Sequence, residues 1–444
     1  VPDQATGALA CQAPAALAES KGTDKAIAAV PVMSSRNRLF MRSVLFGILP
    51  KATGSLTVLV GLPALGRALS LPDYAWFLAA MSVTSFMTMP FSAVGTLEIR
   101  RLATASTRGE LTAAVAGVSL GLFVAAAALG LAAAAVAGAA FGLFDRSLAA
   151  LVILLAMLQG ISSWSDAYHV ATRTDYVVSL SQLVINLVLV GLFLSPLASS
   201  LSFVIVAYFA LPVLNYGWLL FRILRRDPVV PTFSWAETQA ALVHGAPLLL
   251  SGGIDYLKVF GSAALVGAIS GEVEYAAYAT IVLLVARFTN PMSLITRPLM
   301  PALLDAVARS DAAWLINARS AVLLTVGISV VLTAVVGFFL PMVFVLLFPG
   351  VLQSVSEIEG YAIAAMLWGF VASALFGPVV VTFRRQGILA VWSAIWVVAG
   401  LVAGGIGELA SIHGAMLFAM ALASIGAGAT VSFIAQALLK AHSA

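Results

Sequence analysis

Twelve separate runs of apolar residues, each near the length of a bilayer-spanning helix, constrain this chain more than anything else in it. They fall at about 43–67, 75–98, 112–140, 147–170, 176–196, 200–223, 243–269, 275–299, 319–348, 358–383, 387–407 and 412–438. At a rise of about 1.5 Å per residue, each can cross a hydrocarbon core about 30 Å thick. Composition points the same way. Of 444 residues, 61% are hydrophobic and 9% charged, where a soluble domain carries about 25% charged residues. A large soluble core would not divide its apolar residues into spaced runs of this length. The expected fold is all-α: a polytopic membrane protein with about twelve transmembrane helices. The third and ninth runs exceed what a span needs, and Phe348-Pro349-Gly350 marks where the ninth must stop.

Arginine and lysine set the orientation, because cytoplasmic loops hold an excess of both. One side carries Arg36, Arg38 and Arg42, then Arg100, Arg101 and Arg108, then Arg173, then Arg222, Arg225 and Arg226. It continues with Arg297, Arg309 and Arg319, with Arg384 and Arg385, and with Lys440. The other side carries Arg67 and Arg146, and is acidic instead, with Asp73, Asp145, Glu272, Glu274, Glu357, Glu359 and Glu408. The basic loops alternate strictly with the acidic ones. Both termini are therefore expected in the cytoplasm. The net charge of +4 reflects these loops rather than a nucleic-acid surface.

Residues 1–35 have no clear apolar period and lack the basic, apolar and small-residue order of a signal peptide; they read as a disordered cytoplasmic tail. Residues 36–224 form a first six-helix bundle, 225–242 a cytoplasmic linker containing Pro228 and Pro231, and 243–444 a second six-helix bundle. Segment 300–318 reads as an amphipathic surface helix. The halves also match at an offset of 201. Gly66 falls on Gly267, Asp73 on Glu274, Tyr74 on Tyr275, Pro90 on Pro291 and Ser92 on Ser293. Helices one and seven then run in the same direction, a parallel repeat about an axis along the membrane normal, which is a common transporter plan.

Four charges lie inside the apolar runs: Lys51, Asp255, Lys258 and Arg287. A charge at the bilayer centre costs about 2.5–3.5 kcal/mol on insertion scales, so such residues face a wet cavity or a partner. Lys51, about two turns into helix one, is also able to snorkel to the interface. Asp255 and Lys258 stand at i and i+3 on helix seven, roughly 18 Å deep, beyond that reach. Two readings stay open. One is a structural ion-pair cluster of Asp255 with Lys258 or Arg287. The other is a cavity for an anion such as a pyrophosphate, with Lys51, Lys258 and Arg287 binding substrate. Asp255 is also placed to couple a proton or sodium ion, since a carboxylate flanked by cations can change protonation or partner.

Other signals are weaker. Pro50, Pro90, Pro247, Pro291 and Pro378 sit within or at the ends of spans, where proline favours a bend. Gly252-Gly253 precedes Asp255. Ser82, Thr84, Ser85, Thr88 and Ser92 on helix two suit a sugar path, although hydroxyls also bond their own helix carbonyls. The lone Cys11 permits no intrachain disulfide, and His169, His244, His413 and His442 show no metal-ligand spacing, so no cofactor or metal is expected. No nucleotide-binding, zinc-protease or serine-hydrolase motif occurs, which argues against an enzyme.

Several segments carry a family resemblance. Helix one leads into Gly66-Arg67-Ala68-Leu69-Ser70-Leu71-Pro72-Asp73-Tyr74-Ala75, and the first helix pair ends with Gly95-Thr96-Leu97-Glu98-Ile99-Arg100-Arg101. The second half opens His244-Gly245-Ala246-Pro247 and runs through Asp255 and Glu274-Tyr275-Ala276-Ala277-Tyr278 to Pro301-Ala302-Leu303. The chain resembles the polysaccharide-exporter, or O-antigen (lipid-linked oligosaccharide) flippase, branch of the multidrug/oligosaccharidyl-lipid/polysaccharide (MOP) superfamily. Ala75 departs from the glycine usual there. The resemblance implies two six-helix bundles around a central cavity that opens alternately to each side. It implies a flippase moving an undecaprenyl-diphosphate-linked oligosaccharide to the periplasmic leaflet. Its partners would be that substrate, membrane lipid, and a polysaccharide polymerase with export machinery. A proton- or sodium-coupled multidrug antiporter of the same fold is the alternative, and a non-transporting scaffold for polysaccharide synthesis a third reading.

Overall fold

A computed structural model describes residues 53–54, 56–104, 124, 126–132, 134–136, 138–139, 144, 147–162, 165, 169, 175–226, 235, 239, 243, 246, 250, 253–288, 312–349, 351, 356–383 and 385–443. Each of the twelve apolar runs contains helix among these residues, and the described residues contain no strand. Helix α1 comprises helical residues within 53–56, a π-helical stretch Thr57–Gly61 and an α-helical stretch Leu62–Ala68. Helix α2 is Leu71–Thr104, α3 is represented by helical residues within 124–139, and α4 is Ala149–Ser162. Helix α5, Asp175–Phe193, passes through a 3-10 turn at Pro196–Ser199 into α6, Leu201–Arg226. Helix α7 comprises residues 253–256, a π-helical stretch Leu257–Gly261 and Ser262–Ser270. The remainder are α8 (Glu272–Phe288), α9 (Ala312–Leu347), α10 (Glu357–Thr382), α11 (Gln386–Leu409) and α12 (Ala415–Ser443). Seven of these, α5, α6, α7 and α9 to α12, are long and apolar enough to cross a membrane within the described residues.

Local chemistry fixes the helix ends. At the start of α2, Ser70 Oγ accepts from the Asp73 amide and donates to the Asp73 carboxylate. Pro72, inside the first turn, removes an amide that would have no partner. At α10 the arrangement recurs as a full capping box: the Ser356 amide and hydroxyl both donate to Glu359, whose amide donates to Ser356 Oγ. Between α7 and α8 the chain turns on one residue, Gly271, at φ 102°. Its amide donates to the Gly267 carbonyl, and its own carbonyl accepts from the Tyr275 amide. A side chain at that φ would be strained, which is why glycine stands there.

Two helix bounds differ from the sequence expectation. Helix α2 starts at Leu71 rather than 75, because its cap precedes its apolar residues. Residues 312–318, assigned above to a surface helix, are the first two turns of α9, which runs unbroken for 36 residues.

Packing depends on which helices are apolar all round. Helix α2 buries every residue from Tyr74 to Val83, and α8 every residue from Ala279 to Val285. A helix covered on all sides is central. On α9 the exposed Leu324, Val331, Phe338, Met342 and Leu346 form one stripe of apolar side chains, which suits lipid rather than water. One apolar cluster joins first-half residues such as Leu65 and Phe77 to second-half residues such as Leu284 and Met366. A second cluster, including Leu315, Phe376, Val380 and Leu439, binds α9, α10 and α12 at the end bearing the basic loops.

Small residues let the second-half helices approach closely, as membrane helices commonly do. A methyl at Gly369 of α10 would run into the Ser424 carbonyl of α12. Gly400, Gly404 and Gly407 of α11 lie against Ala423, Met416 and Ala415 of α12. The two π stretches, Thr57–Gly61 and Leu257–Gly261, stand at corresponding places in α1 and α7, the helices paired by the sequence repeat. The repeat glycines pack alike as well, Gly66 against Tyr74 and Gly267 against Tyr275.

Candidate functional site

Of the four charges expected inside the membrane, the structure describes the side chains of two. Lys51 lies outside the described residues, and Arg287 lies in α8 with its side chain outside them. Asp255 and Lys258 are both on α7, where Lys258 is about 18 Å from the helix end at Ser270 by helical rise.

The π stretch Leu257–Gly261 begins between these two residues. Lys258 is 4% exposed, whereas Asp255 is exposed. No Asp255–Lys258 ion pair forms among the described residues. The Lys258 ammonium instead sits 3.7 Å from the ring centroid of Phe370, on α10. A cation over an aromatic face is attracted by the ring quadrupole, by up to about 2 kcal/mol or more when desolvated. That contact compensates a charge otherwise placed among apolar groups. Phe370 is a site residue the sequence reading missed: nothing marks one phenylalanine among 24 as the seat of a cation.

Aromatic rings close the space beside Lys258. Tyr256 and Phe260 stack at 5.6 Å between centroids, and Phe86 of α2 meets them at 5.6 and 6.0 Å. Here α2 of the first half meets α7 of the second. Three of the helix-two hydroxyls bond their own helix: Ser82, Ser85 and Thr88 donate to the carbonyls of Leu78, Met81 and Thr84. Neutral polar groups tie α1 to α5, with Asn186 Nδ2 donating to Thr53 Oγ1 at 3.3 Å, and α5 to α6, with Gln182 donating to Tyr216 at 2.9 Å.

A cavity of about 390 Å³ opens at the end bearing the acidic loops. Glu274, Tyr278, Glu359, Glu408 and His413 line it. Two of its carboxylates, Glu359 and Glu408, hold helix ends. Glu408 accepts from Ser270 at 2.8 Å and from the Met416 amide at 3.1 Å, joining the end of α7 to the start of α12. Glu359 caps α10 and lies 3.4 Å from His413.

Helices of this length and lipid-suited faces define a polytopic helical membrane protein. Comparison with known proteins narrows the class. No protein-family model matches the chain, and no curated protein matches it in sequence. Solved structures do. The inward-facing conformation of a multidrug resistance MATE family transporter of the MOP superfamily matches with a TM-score of 0.65, covering 89% of this chain and 98% of that one at 13% identity. A MOP superfamily transporter from Pyrococcus furiosus, described for the reverse polarity of its binding pocket, matches with a TM-score of 0.58, covering 91% and 96% at 12% identity. The outward-facing conformation of a multidrug resistance MATE family transporter matches with a TM-score of 0.51, covering 91% and 96% at 14% identity. The chain has the MATE-type fold, with 12 transmembrane helices in two bundles.

Proposed function

We propose that this chain is a flippase that moves an undecaprenyl-diphosphate-linked oligosaccharide from the cytoplasmic to the periplasmic leaflet by alternating access, during surface or exopolysaccharide synthesis. The observation that carries this reading is Lys258, a buried ammonium held over the Phe370 ring beside the place where α2 of the first half meets α7 of the second. A diphosphate arriving there would draw the ammonium off the ring into a charge-assisted contact, which is stronger than a neutral one. Lys51 and Arg287 are assigned to the same anion path, and Asp255 to ion coupling. The basic loops support a reading with both termini in the cytoplasm of a bacterial inner membrane, the side on which lipid-linked sugars are assembled. A polysaccharide polymerase and export machinery would act next on the product.

The chain resembles the inward-facing MATE conformation, at a TM-score of 0.65, more than the outward-facing one, at 0.51. That supports a cleft open to the cytoplasm, ready to load. The neighbours' description as multidrug transporters supports a second reading, a proton- or sodium-coupled drug or metabolite antiporter. Such a transporter takes organic cations best in a site led by carboxylates. Here the carboxylate, Asp255, stands three residues from a cation, Lys258. Deletion of the gene decides between them. A flippase leaves lipid-linked repeat units accumulating inside and the surface polysaccharide missing; a deletion strain with normal polysaccharide and new drug sensitivity would sink the flippase reading.

A further inference from the structure

We infer that the two halves are latched shut at their acidic end by a hydrogen bond between Tyr74 of α2 and Thr280 of α8, and that breaking this bond opens that end. The inference rests on the transporter reading above, in which the halves move against each other.

The side-chain hydrogen bonds among the described residues divide by where they reach. Most stay within one half. Thr53–Asn186 and Gln182–Tyr216 belong to the first, and Ser270–Glu408, Trp368–Ser329, Trp396–Thr430 and Arg319–Gln436 to the second. Two that cross between the halves, Tyr74–Thr280 and Arg67–Leu346, lie at the acidic end. Tyr74 Oη and Thr280 Oγ1 are 3.1 Å apart, with each residue fully buried. Arg67, in the last turn of α1, donates to the Leu346 carbonyl at 3.2 Å. That carbonyl is in the final turn of α9, where no amide further along the helix can reach it.

The direction of the Tyr74 bond can be assigned. Thr280 Oγ1 has one proton, and it is committed to the Ala276 carbonyl at 2.7 Å. Tyr74 must therefore donate and Thr280 accept. Loss of the tyrosine hydroxyl leaves Thr280 still bonded to its own helix, so the fold of each half survives while the tie between them goes. Around the bond the interface is apolar, with Phe77 and Ala276 fully buried, and Phe348 and Val351 packed over Gly66. Two directional bonds in such an interface fix one register of closure. A single buried bond is also weak enough to be broken and remade in each cycle.

The test uses full-length protein in lipid nanodiscs, with Cys11→Ser removing the native thiol and Ala276→Cys as a reporter at the closed interface. The readout is the rate of labelling by a water-soluble maleimide, with no substrate present. Tyr74→Phe and Thr280→Val should each speed labelling about three- to tenfold, the shift expected for losing one hydrogen bond. The double variant should label no faster than the quicker single one, because both remove the same bond. Thr280→Ser, which keeps the hydroxyl, should stay closed, and Arg67→Ala should open the end independently. Labelling within twofold of the parent in Tyr74→Phe and Thr280→Val overturns the latch, and so does additivity between them. If Tyr74→Phe fails to elute as a single folded species, the contrast between Thr280→Val and Thr280→Ser decides alone. A wrong substrate assignment leaves these rates untouched, and a failed latch leaves the polysaccharide phenotype untouched, so the two proposals fail separately.

Discussion

Lys258 shows how one charge is made tolerable in an apolar region without giving up its use. An ion pair with Asp255 would have neutralised it; the face of Phe370 leaves its full charge available. Replacing Phe370 with Leu keeps the apolar volume but removes the quadrupole. The expected result is lower thermal stability, by about 1 kcal/mol in unfolding assays in detergent. Lys258→Met should cut transfer of a lipid-linked oligosaccharide in reconstituted vesicles at least tenfold, with membrane levels of the protein unchanged. Asp255→Asn removes a negative charge three residues from Lys258, and should tighten binding of a soluble pyrophosphate analogue, measured by calorimetry. Asp255 and Lys258 were legible in the sequence because a charge inside an apolar run is conspicuous. Phe370 was not, because an aromatic residue on a membrane helix has the same sequence signature whether it faces lipid, core or cation. The π stretch between Asp255 and Gly261 was also invisible, since no residue type announces one.

At the level of single helices, caps and small residues set ends and spacing more sharply than hydropathy does. All twelve runs were readable, because lipid demands a long apolar stretch for every crossing. The ends of α2 and α9 were not, since a helix can continue into water wherever its capping groups stand further out. Ser356→Ala breaks the capping box of α10 and should lower stability by about 1 kcal/mol. Gly369→Val inserts a branched side chain where α10 touches the α12 backbone. The expected cost is about 2 kcal/mol or more, seen as a lower melting temperature and as α12 becoming open to proteolysis. Should Gly369→Val melt with the parent protein, the close approach of α10 and α12 is not what holds this half together.

For the molecule as a whole, the alternation of basic and acidic loops makes a topology prediction. A fluorescent protein fused after the end of α12 should fold and fluoresce in the cytoplasm. A cysteine placed at Ser411, in the acidic-end turn at φ 58°, should react in whole cells with an impermeant reagent after the outer membrane is opened. Reaction only after cell lysis would reverse the orientation and with it the proposed direction of transport.

Helix α2, at 34 residues, is about 51 Å long by helical rise, far longer than the hydrocarbon core is thick. Its aromatic contact with α7, at Phe86, falls about 22 Å from one end and 27 Å from the other. A rod pivoting near its middle works as a lever with nearly equal arms, and Pro90, one turn beyond Phe86, is the place where it would bend. A tilt of about 20° there would displace each end by roughly 8–9 Å in opposite directions. Closing one mouth and opening the other would then be a single mechanical event, and the width gained on either side would be set by where along the rod the pivot lies.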